Sequence, residues 1–249
     1  MHEAGPGMFN SAFRMNLIPV LLLLGCFVAQ VAHAGDFART QVLGTSADGR
    51  FVAVEEYGVQ DGSGFPYSNL FVLDLQTDRW VKGSPARVRV DDETAAVDTA
   101  RRQARSKLQK IFASLGLQDR GDVVLLAANP GTEHGADPHR LGFDTGRFVP
   151  QIHRPALLSL TELPFDNPQC PDPQIKGFSL VIEINDTVRQ LNRDTKIPAS
   201  RRCPLRYRIL AAHTVSPPGG TAYLLITIQY ESFGFEGPDG RHLFIGMPL

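Results

Sequence analysis

The 249-residue chain carries 25 Lys and Arg against 26 Asp and Glu, a formal net charge of −1, so no global basic field draws it to nucleic acid. Hydrophobic residues make up 43% and charged residues 20%, the balance of a globular chain with enough length for one core or two small domains in close contact. One long apolar run stands near the N-terminus and no second one follows, so no stable membrane span is expected in the rest of the chain.

That first run lies in MNLIPVLLLLGCFVAQVAHA, residues 15–34. It is short for a span and ends in Ala32-His33-Ala34, the small-x-small pattern of signal peptidase. Residues 1–34 read as a cleaved secretory signal, with Gly35 the first mature residue. Among the possible starts Met1, Met8 and Met15, Met8 gives a basic leader region through Arg14. A second reading exists: Leu23-Leu24-Gly25-Cys26 resembles a lipoprotein box acylated at Cys26, although Leu24 and Phe27 fit it poorly. Either reading exports the chain, and a periplasmic or secreted location is expected. After cleavage two cysteines remain, Cys170 and Cys203, an even number in an exported chain, and a disulfide between them is expected.

Residues 40–82 read as blade-like β-hairpins. SADGR is a turn in which Asp-Gly supplies positive φ. FVAVEEY and LFVLDL are strands with apolar residues on both faces, so the sheet they form requires cover on both sides. The loop 58–69 joins them. Residues 91–117 read as one long amphipathic helix, with Val97, Ala100, Ala104, Leu108, Ile111 and Leu115 on one stripe and Gly116 as its stop. Its Arg101, Arg102, Arg105, Lys107 and Lys110 read as a solvated face. DVVLLAA (122–128), the region around 156–160, GFSLVIEI (177–184), LRYRILAAHTV (205–215) and a final hairpin about Gly237-Pro238-Asp239-Gly240 read as strands. Residues 185–204 read as a polar connection. The expected class is α+β: β-rich antiparallel sheets, about nine or ten strands, with the helix set between two β-rich parts of a single domain over 35–249.

SADGRFVAVEEYGVQDGSGFPYSNLFVLDLQTDRWV (46–81) resembles a family of predicted secreted bacterial proteins, domain of unknown function 2259. Pro198-Ala199-Ser200-Arg201-Arg202-Cys203 and GFEGPDGR (234–241) support the resemblance, which spans nearly all of the mature chain. It implies an exported, periplasmic protein and carries no activity and no catalytic residues with it. The first segment is also similar to a single blade of a TolB-type propeller. SADGR is echoed by GPDGR near the C-terminus.

Candidate chemistry centres on the 55–69 region. Tyr57, Phe65 and Tyr67 can form an aromatic pad, and Glu55, Glu56 and Asp61 supply acceptors beside it, the mixture a small-ligand site uses. Glu55 and Glu56 look like an acid/base pair, but neighbouring strand residues point to opposite faces. His134, Asp137 and His139 are the candidate metal ligands, at a spacing that matches no helical zinc motif. His153 and His213 read as structural or surface residues. No Walker loop, Rossmann fingerprint or nucleophile elbow is present, so no cofactor is expected. These features point to a non-catalytic binding or interaction module, its partner a periplasmic protein or a small ligand. The alternative is a periplasmic hydrolase, with or without a metal, built on Glu55 or Glu56, Asp61 and the His134/His139 loop. Mass spectrometry of the exported protein is expected to return Gly35 as the first residue; an acylated Cys26 would overturn the soluble reading.

Overall fold

In β2 (Phe51–Val59) and β3 (Pro66–Asp74) most side chains are buried, on both faces. The computed structural model describes residues 35–133, 135–146 and 154–249 and supplies a cover for each face. The signal segment, His134 and His153 lie outside the described residues. β1 (Arg39–Thr45), β2, β3 and β4 (Arg79–Trp80) form an antiparallel meander, and β5 (Ala86–Arg89) also pairs with β3; together they are sheet I. Helix α1 (Val97–Leu115) covers one face, setting Ala100, Ala104 and Leu108 against Ala53, Leu70 and Val72. The other face carries Val52, Val54, Phe71 and Leu73, which meet Val215, Tyr223, Leu225 and Phe244 of a second sheet.

That second sheet is the middle layer. It orders β13 (Pro238–Pro248), β12 (Tyr223–Phe233), β11 (Pro204–Val215) and β6 (Val123–Ala128), and is called sheet III. The run Tyr223-Leu224-Leu225-Ile226 is apolar at every position because both of its faces are buried. Leu224, Ile226 and Ile228 point away from sheet I, toward Leu158, Leu160, Phe178, Leu180 and Ile182. These belong to sheet II, ordered β10 (Thr187–Arg193), β9 (Gln174–Ile184), β8 (Pro155–Asp166) and β7 (Arg140–Asp144). The layers run α1, I, III, II. Because the described sheets stack face to face, the blade-like segment is one layer of a stack and not part of a radial propeller. The antiparallel, β-rich α+β class holds, with thirteen strands among the described residues.

Three boundaries differ from the sequence reading. The helix begins at Val97 because Asp92 accepts the Thr94 N–H (2.9 Å) and hydroxyl (2.7 Å) in a local turn, which holds the acidic stretch outside the helix. At the other end Gly116 is left-handed, φ 59°, and stops the helix as its position implies. The β2–β3 hairpin stays paired to Val59 and Pro66, so its loop is only 60–65. Within 185–204 the chain makes β10, turned by Asn185 and Asp186 at φ 48° and 63°. This Asn-Asp turn supplies two positive φ values without the glycine that usually signals it.

Two cross-links hold the layers and their corners. The Cys170–Cys203 disulfide joins the β8–β9 connection to the residue before β11, a sequence separation of 33. Closing such a loop stabilises by about 3–4 kcal/mol on the chain-entropy account. At the start of sheet I, Arg50 forks onto Asp74, Nε donating to Oδ1 (2.9 Å) and Nη2 to Oδ2 (2.5 Å). Asp48 accepts the Ser46 hydroxyl (2.5 Å) and the Arg50 N–H (3.1 Å), so SADGR and the Asp that closes LFVLD form one clamp.

The Arg50 guanidinium holds the Asp74 carboxyl below the usual carboxylate range. A carboxylate depressed in the native state stabilises fully above its ordinary pKa, about 4, and loses that contribution as pH falls through the depressed value. With Arg50 partly exposed, solvent screens the pair and its contribution is modest. Asp74→Asn is therefore expected to lower Tm by about 2–4 °C at neutral pH. In melting curves taken across pH, the gap to wild type should close in acid. A gap that stays constant with pH would show that the pair is not its source.

Candidate functional site

Sheet I crosses β13 at the edge of sheet III, and the crossing is made by side chains. Three outward N–H groups of β13 are taken: Gly240 by the Asp36 carbonyl (2.9 Å), His242 by Glu56 Oε2 (2.9 Å), and Gly246 by Asp78 Oδ1 (2.8 Å). Acceptors stand in for a neighbouring strand and close the edge. Gly246 is required there, since a Cβ would lie 2.7 Å from the Leu75 Cα. Further out the sheets diverge around a cleft of about 500 Å³, a volume suited to a small organic ligand.

One wall of the cleft is aromatic. Phe71 lies 5.8 Å from Trp80 and 5.4 Å from Phe244, ring centre to ring centre. Trp80, the single tryptophan of the chain, is 46% exposed. The Arg87 guanidinium sits over both Phe71 (5.9 Å) and Trp80 (5.7 Å). The other wall comes from β13 and from the segment that precedes Cys203. Arg241 donates to Asp36 Oδ2 (2.5 Å) and to the Asp36 carbonyl (2.7 Å) while lying 4.7 Å over Tyr67. Arg201 pairs with Asp194 (2.5 Å) and lies over Phe178 (5.1 Å). Burial pushes the Tyr230 hydroxyl up to about 12, so this cleft residue offers a neutral O–H at physiological pH.

The structure separates the residues singled out in sequence. Glu55 and Glu56 point to opposite faces of sheet I. Glu55 accepts from the Ser68 hydroxyl (2.8 Å) and from Arg101 Nε (3.1 Å) and Nη2 (2.9 Å), which docks α1 on the sheet. Arg101 thus leaves the solvated helix face to which its neighbours belong. Glu56 accepts from Asn69 Nδ2 (2.9 Å) and from the His242 N–H, with His242 Nδ1 at 3.3 Å. Tyr57 lies under Arg101 (4.0 Å) and Phe65 under Arg89 (5.6 Å). Tyr67 is buried, its hydroxyl donating to Asp36 Oδ1 (2.8 Å) and kept protonated because burial raises its pKa. The three rings therefore do not share one face. Asp61 accepts the Glu236 N–H (3.2 Å) and ties the 60–65 loop to the β12–β13 turn. Of the six, Glu56 and Tyr67 line the cleft.

The histidine loop lies elsewhere. Asp137 Oδ1 accepts the His139 N–H (2.8 Å), and His139 Nε2 is 3.7 Å from Glu162 of sheet II. Among the described residues no three His, Cys, Asp or Glu side chains gather at metal-binding distance, and no hydrogen bond or ion pair joins this turn to the 60–65 loop. His213 is largely buried, its Nδ1 without a partner among the described residues, and burial lowers its pKa.

The family model described as "Predicted secreted protein (DUF2259)" matches residues 53–247. The chain belongs to this family. No curated protein and no solved structure matches it at a significant level. Within this DUF2259 chain the described residues contain no helix long and apolar enough to cross a membrane.

All three stretches that carry the resemblance to DUF2259 proteins reach the cleft: Phe71 and Trp80 from the first, Arg201 and Arg202 from the second, Asp239 and Arg241 from the third. Sequence reasoning passed over the arginines and Trp80. For Arg241 alone the repeated Asp-Gly-Arg was a signal, since Arg50 and Arg241 each clamp an aspartate. Glu56→Ala removes an acceptor that three donors or ring nitrogens share in a buried site. Such a loss costs about 2–4 kcal/mol, or about 4–16 °C in Tm for a domain of this size. Calorimetry that finds Glu56→Ala as stable as wild type would remove Glu56 from the sheet junction.

Proposed function

We propose that this DUF2259 protein is an exported, periplasmic binding protein without catalytic machinery of its own, and that its ligand occupies the cleft between sheet I and β13. The carrying observation is the state of the cleft's charged groups. The carboxylates that line it already accept from the protein: Glu56 from His242 and Asn69, Asp78 from Gly246, Asp239 from the Asp36 N–H (3.3 Å). A general acid or base must exchange its proton with substrate; each of these carboxylates has an oxygen engaged in holding the sheets together, Asp78 among them although burial raises its pKa. What is left open is a preformed apolar wall with polar groups around it, the composition of a binding site. The N-terminal signal segment, the disulfide and the family of predicted secreted proteins support export.

Trp80 makes the reading testable without knowledge of the ligand. A small-molecule panel screened by tryptophan emission and by melting temperature should give compounds that change both. Saturation at 100 times Kd adds about 2.7 kcal/mol, which raises Tm by about 5–10 °C. Compounds that raise Tm with no change at Trp80 would place the site elsewhere. Recovery of cleaved ligand would favour the hydrolase.

A further inference from the structure

Five guanidiniums line the cleft, and three are committed within the protein: Arg201 to Asp194 (2.5 Å), Arg241 to Asp36 (2.5 Å) and Arg89 to Asp91 (2.6 Å). Arg87 and Arg202 have no carboxylate partner among the described residues. Glu56, Asp78 and Asp239 each accept from a neutral N–H, which engages an oxygen without neutralising a charge; the guanidinium donors left open in the cleft are those of Arg87 and Arg202.

Both arginines are held by features that leave their N–H groups free. Arg87 stacks over Phe71 and Trp80, which uses the face of the guanidinium and leaves its donor edge available. Arg202 follows the short 3-10 turn Ala199–Arg201 and precedes Cys203, so the disulfide fixes its backbone. Its φ of 56° is a left-handed setting that a β-carbon disfavours, and its N–H bonds the Ala199 carbonyl (3.1 Å). One arginine rises from β5 of sheet I and the other from the segment entering sheet III. Beside them the half-exposed Trp80 ring, packed on Phe71 and through it on Phe244, offers an apolar surface.

We infer that the cleft takes a small organic anion, an oxyanion of the carboxylate or phosphate class carried on a flat apolar body, with the anionic group on Arg87 and Arg202 and the body against Trp80. This rests on the cleft being the ligand site. Planar guanidinium forks suit both oxyanions, and a body is needed because the aromatic wall has no partner for a bare ion.

Titration calorimetry on the purified protein with four probes tests it: 2-naphthoate, 2-naphthyl phosphate, uncharged 2-naphthamide and inorganic phosphate. At least one aromatic anion should bind about tenfold or more tighter than the amide and than inorganic phosphate, and the tighter of the two names the oxyanion. Arg87→Ala and Arg202→Ala, both at exposed positions, should each weaken the anion about tenfold and leave the amide unchanged. An amide that binds as well as the anions overturns the anion assignment and leaves the cleft as the site. Inorganic phosphate binding as tightly as naphthyl phosphate overturns the apolar body. If none of the four binds although panel compounds perturb Trp80, this inference alone fails. If nothing perturbs Trp80, the cleft reading beneath it fails too.

Discussion

The edge of β13 has to be closed by something other than a strand, and sheet I closes it with acceptors. Glu56 and Asp78, with the Asp36 carbonyl, reach three outward N–H groups across a crossing of two sheets. Two consequences come together. An unpaired edge, which would otherwise invite pairing with another chain, is shielded. The two sheets are also pinned at a few points, and beyond them a cleft opens between Trp80 and Arg87 on one side and Arg201 and Arg241 on the other. The site is a by-product of how the edge is capped.

The same economy runs through the arginines. Arg101, Arg201 and Arg241 are each bonded to a carboxylate and laid over an aromatic ring, at 4.0, 5.1 and 4.7 Å from Tyr57, Phe178 and Tyr67. Burying a guanidinium is costly unless its charge and its donors are both satisfied. The ring covers the planar face, which makes no hydrogen bonds, and the carboxylate takes the edge. Arg87 has the ring contacts without the carboxylate, which is what distinguishes it within this set.

Much of the fold was legible where one residue decides a local outcome. Gly116 ends the helix, the apolar run of β3 demands two covers, and strand alternation parts Glu55 from Glu56. Legibility failed where the deciding partner is distant in sequence. Tyr67 reads as an exposed ring in a glycine-rich loop, yet Asp36 and Arg241, 31 and 174 residues away by number, bury it. Trp80 sits in a two-residue strand with no periodicity to mark it. Arg202 reads as one more charge in a basic connection until the disulfide fixes its place. β10 escaped for a different reason: it is an exposed edge strand, TVRQLNR, with little of the hydrophobic alternation that identifies a strand.

The order of the layers in space is not their order along the chain. Sheet I is made first, sheet II later, and the middle layer is completed only by β11, β12 and β13, the last 46 residues from Pro204 to Leu249. Until those strands are present, Val52, Phe71 and Leu73 on one sheet and Leu158, Leu180 and Ile182 on another face water. Pairings of such long sequence separation close slowly, because the loop entropy is spent before the contact is made. A nascent chain of this topology can cover one face of sheet I with α1 as it emerges, but the other face and sheet II stay open until β11, β12 and β13 have joined them.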